Sequence, residues 1–135
     1  MVASPNPVYF FGADTGVTPA GGATRKDATP MIQEVMTAVY RQRGVPFKRG
    51  IDPGLSDHVA FGNAGIPYGW LFTGADAIKT AEEVAVWGGK AGMPMDPCYH
   101  LTCDNLGNIN TVALALNADA IAYAALHFAM NRLPR

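Results

Sequence analysis

"TPMIQEVMTAVYRQRGVPFKR", residues 29–49, decides the fold class. Thr29 is placed to cap a helix, Pro30 suits its first helical position and Gly44 suits its stop. Met31, Ile32, Val35, Met36, Val39 and Tyr40 recur at helical spacing and form one apolar stripe. "VPFKR" (45–49) follows directly and reads as a short strand.

Working outward, the pattern repeats. "VYFFGA" (8–13) is an apolar run bounded by Pro7 and Gly12 and reads as a buried strand; 14–28, rich in Gly and Pro, reads as a loop. "LSDHVAFGNAG" (55–65) predicts a short helix capped by Ser56 and ending at Gly65. "IPYGWLF" (66–72) predicts a second buried strand. Thr80 and Glu83 make a capping box for a helix that stops at Gly88 and Gly89. Asn110 caps a long helix over 111–131, ended by Pro134. That helix is apolar on nearly every side, which predicts burial against a sheet. Strands alternating with helices predict an α/β fold of three layers, a mostly parallel mixed sheet flanked by helices. Ligands of such sheets bind at the carboxyl ends of the strands, so the loops after 45–49 and 66–72 and the loop near residue 100 are the places to look.

The chain has 135 residues, enough for one domain with a real core. Its charge is -1, with no block of like charge, which argues against nucleic acid or an anionic membrane and fits a peptide or small-molecule partner. No run of eighteen apolar residues predicts a membrane span, and no basic, apolar leader predicts a signal peptide. A P-loop, a GxSxG elbow and HExxH are all lacking, and "GADTG" falls short of a dinucleotide fingerprint.

Both cysteines sit in "DPCYHLTCDNL" (96–106). Cys98, His100 and Cys103 could offer three ligands to a zinc ion, whereas a structural zinc takes four and neither His58 nor His127 is close in sequence. A disulfide closing the four intervening residues is sterically possible and would stiffen the turn that carries Tyr99 and His100. The missing fourth ligand weighs toward the disulfide, and both readings stand at this point. His100 is the leading candidate for function, since pinned loop positions are where function concentrates. Tyr99 offers a hydroxyl donor or, equally, a ring that caps the core. Asp57 and His58 are neighbours on a helix and point different ways, so they do not form a dyad. His127 falls within the apolar final helix and has no catalytic part.

Residues 56–110 closely resemble the C-terminal half of the secreted bacterial two-zinc aminopeptidases, metallopeptidase family twenty-eight. The resemblance rests on "SDH…F…AGIP…LFTGA", the "WGG.AG" segment and "D.CYH..CD…N", in the same order and at similar spacing, and "ASPNPVYF" at the start looks like that family too. It implies a mixed sheet between helices, two zinc ions sharing a bridging water, and removal of N-terminal residues from peptide substrates. It implies that His100 is a zinc ligand, that Tyr99 stabilises the transition state and that Cys98–Cys103 is a disulfide. Phe72 falls at the wall of the substrate pocket, with Leu55 and Asp57 as further substrate-binding positions. Leu55 stands where some members carry a substrate-holding arginine. Ala115 interrupts a calcium-binding aspartate pair of which Asp119 is the other position, so calcium is not expected.

On this resemblance residues 1–135 are the C-terminal portion of one catalytic domain, secreted or extracytoplasmic in its parent family. The remaining ligands and a catalytic glutamate are expected upstream of Met1, and self-association through an exposed apolar face is expected of the chain alone. The alternative is a noncatalytic remnant or binding module of the same fold.

Overall fold

The computed structural model describes residues 1–14, 28–50, 54 and 56–131. The readings of 15–27 as loop, of Leu55 as a substrate contact and of Pro134 as a helix stop lie outside those residues.

In chain order the elements are β1 (Phe10–Asp14), α1 (Ala28–Gln42), β2 (Lys48–Arg49), α2 (His58–Asn63), β3 (Tyr68–Phe72), α3 (Ala81–Trp87), a 3-10 turn (Leu106–Asn108) and α4 (Thr111–Met130). The fold is α/β. The sheet is mixed, in the order β2-β1-β3, with β1 parallel to β2 and antiparallel to β3. Register runs from Phe10 opposite Phe72 to Asp14 opposite Tyr68.

Alternation along the strands sets the two faces of the sheet. Ala13 and Gly69 are opposite one another on the face that meets α1, where a Cβ on Gly69 would lie 2.6 Å from the Ile32 side chain. Gly12 and Trp70 are partners on the other face, and the indole lies over both Gly12 and Gly50 so closely that a Cβ on either would have to displace it. Phe10 and Phe72 extend that aromatic face, with their ring centroids 6.1 Å apart.

The stripe read from 29–44 is the centre of the core: Ile32, Val35, Met36, Val39 and Tyr40 are buried with Tyr9 and Leu71. From α4 come Ala113, Leu116, Ala120 and Ala124. The Thr80–Glu83 capping box forms as read, and the Asn110 side chain accepts from the Ala113 amide at 2.9 Å.

Several expectations need correction. Among the described residues the sheet is mixed but not mostly parallel, since its longer pairing, β1 with β3, is antiparallel. Helix α1 begins at Ala28, so Thr29 lies within it rather than capping it, and Pro30 is not its first residue. The strand over 45–49 is only two residues long, because Pro46 has no N–H to add to a ladder; the pairing begins where Lys48 N–H donates to Tyr9. Ser56 is not the cap of α2. Asp57 takes that position with helical φ −59° and ψ −28°, and no side chain caps the helix, since a capping oxygen reaches back only from an extended residue. Ser56 contributes its carbonyl instead, accepting from Val59 N–H at 3.0 Å. Finally, α4 packs on α1 rather than being enclosed against the sheet. The strands already have α1 on that face, so α4 buries one stripe and leaves Val112, Leu126 and Met130 exposed. Its length and apolarity would suffice for a membrane span by composition alone, yet its buried stripe and Asn117 tie it to α1 and to Val2.

The first residues pass the carboxyl end of β3. Thr73 N–H donates to the Met1 carbonyl, Ser4 N–H donates to the Thr73 hydroxyl at 3.1 Å, and Asn110 N–H donates to Ala3. Lys79, fully buried, donates from Nζ to the Pro7 carbonyl at 2.8 Å.

Candidate active site

Cys98 and Cys103 are joined in a disulfide, with Cα atoms 5.3 Å apart, which decides between the two readings of this loop. Neither sulfur is a thiolate free to hold a metal. Inside the ring, Leu101 N–H donates to Cys98 O at 2.9 Å, and just beyond it Asp104 N–H donates back to Leu101 O at 3.0 Å.

Two non-glycine residues among those described have positive φ, Ala75 at +46° and His100 at +58°. Histidine tolerates this left-handed region better than most side chains, though still as a minority conformation. His100 is exposed, Tyr99 beside it is half-buried, and their ring centroids are 4.1 Å apart. The disulfide loop therefore presents an imidazole and a phenol together.

The loop is docked at the carboxyl end of β3, where the α/β pattern directs attention. Asp96 N–H donates to the Ala75 carbonyl at 2.6 Å, and Met95 N–H donates to Ala77 at 2.8 Å. The Met95 side chain occupies the space a Cβ on Gly74 would need, so Gly74 allows this close approach. The Asp96 carboxylate is buried; its Oδ1 accepts from Cys98 N–H at 3.0 Å and from Asn108 Nδ2 at 2.8 Å. Asp96 escaped the sequence reading. Its signal was there in "DPC", since an aspartate that accepts from the amide two residues on is a recognised turn former.

Phe72 closes β3, half-buried among Phe10 and Trp70, immediately before the turn on which the disulfide loop rests. Asp57 is exposed at the start of α2. That helix packs through His58 and Gly62 on Tyr68, at the other end of β3, so the structure does not bring Asp57 together with Phe72. An open apolar groove of about 320 Å³ lies between α1, α4 and the start of β3, and neither Tyr99 nor His100 lines it.

The charges near the sheet are structural. Glu83 accepts from Lys48, and Lys48 also sits 4.9 Å from the centre of the Phe10 ring. Burial alone would raise the Glu83 pKa, but the bonds from Lys48 and the Thr80 amide outweigh it and hold the carboxyl below its usual range. Burial lowers the proton affinity of Lys79, opposed in part by nearby Glu83.

The described residues do not by themselves fit a two-zinc centre. Among them no group of three or more His, Cys, Asp or Glu side chains could hold a metal ion, and both cysteines are oxidised. An open catalytic zinc site takes three protein ligands, and His100 is one candidate.

Residues 1–125 match the model described as Peptidase family M28. The chain is 44% identical over 125 residues to leupeptin-inactivating enzyme 1 of Streptomyces exfoliatus, covering 92% of this chain and 25% of that protein. It is 38% identical over 128 residues to an aminopeptidase of Pseudomonas aeruginosa strain UCBPP-PA14, covering 91% and 23%. To leucine aminopeptidase 2 of Trichophyton rubrum the identity is 39% over 131 residues, covering 97% and 26%. The chain thus spans about a quarter of the length of the curated relatives it matches.

Proposed function

The chain belongs to peptidase family M28, and on that premise we propose that it is the part of an aminopeptidase that presents Tyr99 and His100 to a peptide substrate. The observation that carries this is the exposed His100, at φ +58°, beside Tyr99 on a disulfide-closed loop at the carboxyl end of β3. The names of the relatives support peptide hydrolysis as the reaction class.

In this reading the Tyr99 hydroxyl donates to the oxygen that gains negative charge as the peptide carbonyl is attacked. Removing one such donor costs on the order of 10²–10³ in rate. The aromatic surface at Phe72 lies against the substrate, with Leu55 as a further candidate contact; Asp57, at the other end of β3, is not part of it. Zinc dependence belongs to the same proposal: His100 supplies one imidazole, and two zinc ions would need their remaining ligands from groups other than the described residues. The disulfide supports an extracytoplasmic setting, since such bonds persist in oxidising compartments.

Hydrolysis of aminoacyl p-nitroanilides tests the proposal in the polypeptide that carries this sequence. Chelator-sensitive activity is expected, with kcat falling on the order of 10²–10³ in Tyr99→Phe and activity lost in His100→Ala. Full activity in both variants sinks the assignment. A second reading, a noncatalytic remnant of the same fold, is favoured for the isolated chain because no group of three or more potential ligands is gathered among the described residues. Zinc retained at two ions per chain after dialysis would exclude that reading.

A further inference from the structure

We propose that Asp96 is the positioning residue for the Tyr99–His100 pair, an inference that rests on the role given to that pair above. The disulfide closes residues 98–103 onto themselves. It makes a small rigid ring but does not fix how the ring sits on the sheet, because both sulfurs belong to the ring. Orientation must come from bonds that leave it.

Most of those bonds converge on Asp96. Its Oδ1 accepts from Cys98 N–H at 3.0 Å, which holds the first residue of the ring. Its backbone carbonyl accepts from Tyr99 N–H at 3.4 Å, one residue before His100. Its own N–H donates to Ala75 at 2.6 Å, fastening it to the left-handed turn after β3. The same Oδ1 takes Asn108 Nδ2 at 2.8 Å, and Asn108 also reaches Asp104 Oδ1 at 3.4 Å, just past the ring's second cysteine. One residue therefore joins three parts of the fold: its backbone holds the turn after β3 and Tyr99, and its buried carboxylate holds the first residue of the disulfide ring and the 3-10 turn that leads into α4. The acceptor geometry, rather than the charge, is what the arrangement uses, because both donors to the side chain meet one oxygen.

The experiment uses the intact, oxidised, ¹⁵N-labelled chain, with the disulfide verified by mass, and reads backbone amides and the imidazole resonances of His100 by NMR. In Asp96→Ala the Cys98 amide should exchange with solvent at least tenfold faster, and the Tyr99 and His100 resonances should move while those of β1 and α1 stay. Asp96→Asn keeps an acceptor oxygen and should restore the wild-type positions. Asn108→Ala removes one donor and should give a smaller shift of the same resonances. Unmoved Tyr99 and His100 resonances in Asp96→Ala overturn the proposal, as does an Asn variant that behaves like Ala. If Asp96→Ala does not fold, Asn108→Ala decides: no shift at Tyr99 and His100 overturns the inference. None of these readouts is hydrolysis. A failed peptidase assignment leaves the loop shifts in place, whereas a failed inference leaves the loop unmoved whatever the activity.

Discussion

The Tyr40 hydroxyl donates to the side-chain oxygen of Asn117, 77 residues away, and so joins α1 to α4 within the core. Asn117 uses its amide nitrogen as well, donating to Val2 O at 2.8 Å and to Ala113 O at 3.0 Å. One buried amide therefore ties together both long helices and the start of the chain.

Tyr40→Phe should leave a buried acceptor unpaired on Asn117 and cost about 1–3 kcal/mol in urea denaturation at neutral pH. Burial, with Tyr9 nearby, pushes the Tyr40 hydroxyl pKa well above its usual 10.0. The folded pKa exceeds the unfolded one, so this contribution is complete below pH 10 and is lost as pH rises beyond it. The Phe variant should show a shallower alkaline loss of stability than wild type. Equal alkaline slopes would show that Tyr40 is not the group responsible.

Gly12→Ala should destabilise the sheet, since the new methyl must displace the Trp70 indole lying over it. Overpacking of this kind costs about 1–3 kcal/mol. Tryptophan emission should shift together with the unfolding midpoint. Unchanged emission and stability would mean that the indole has somewhere else to go.

Acid should weaken the attachment of α3 to the sheet. Glu83 in the folded chain has a carboxyl pKa held below its usual 4.5, so its contribution is present above that pH and disappears as pH falls through the lower folded value. Glu83→Gln, which keeps the shape and removes the charge, should be less stable than wild type at pH 7 and lose less on acidification. Denaturation midpoints at pH 7 and at pH 3 check this; parallel losses in the two proteins would assign the acid sensitivity elsewhere.

Reducing Cys98–Cys103 should remove about 2 kcal/mol of stability, the loop-closure value for so short a ring. The loss should be felt first in residues 98–103, with amide exchange rising there before it rises in β1. A reduced chain that melts with the oxidised one would show that the bond does not constrain the unfolded chain.

The parts of the fold legible in the sequence were those governed by local chemistry. The Thr80–Glu83 box and the Asn110 cap each rest on a side chain bonding its own helix, and the 29–44 stripe reports its own burial. Ser56 misled because a capping residue type had no extended backbone from which to cap. The long helix misled for a different reason: apolar residues on every side of α4 do not say how many faces the rest of the chain will cover. At the site, the disulfide was implied by the resemblance and is present, and His100 was marked as a candidate by its place in the loop. For Asp96 the local turn was legible in "DPC", but its wider role was not, because Ala75 and Asn108 meet it only in the folded chain.

Lys79 places an amine where no solvent touches it, facing the Pro7 carbonyl. Acylating labels should therefore mark Lys90, which stands in the open loop after α3, and pass over Lys79. Mapped mass additions at the two lysines would then gauge, sample by sample, whether the amino-terminal segment is seated.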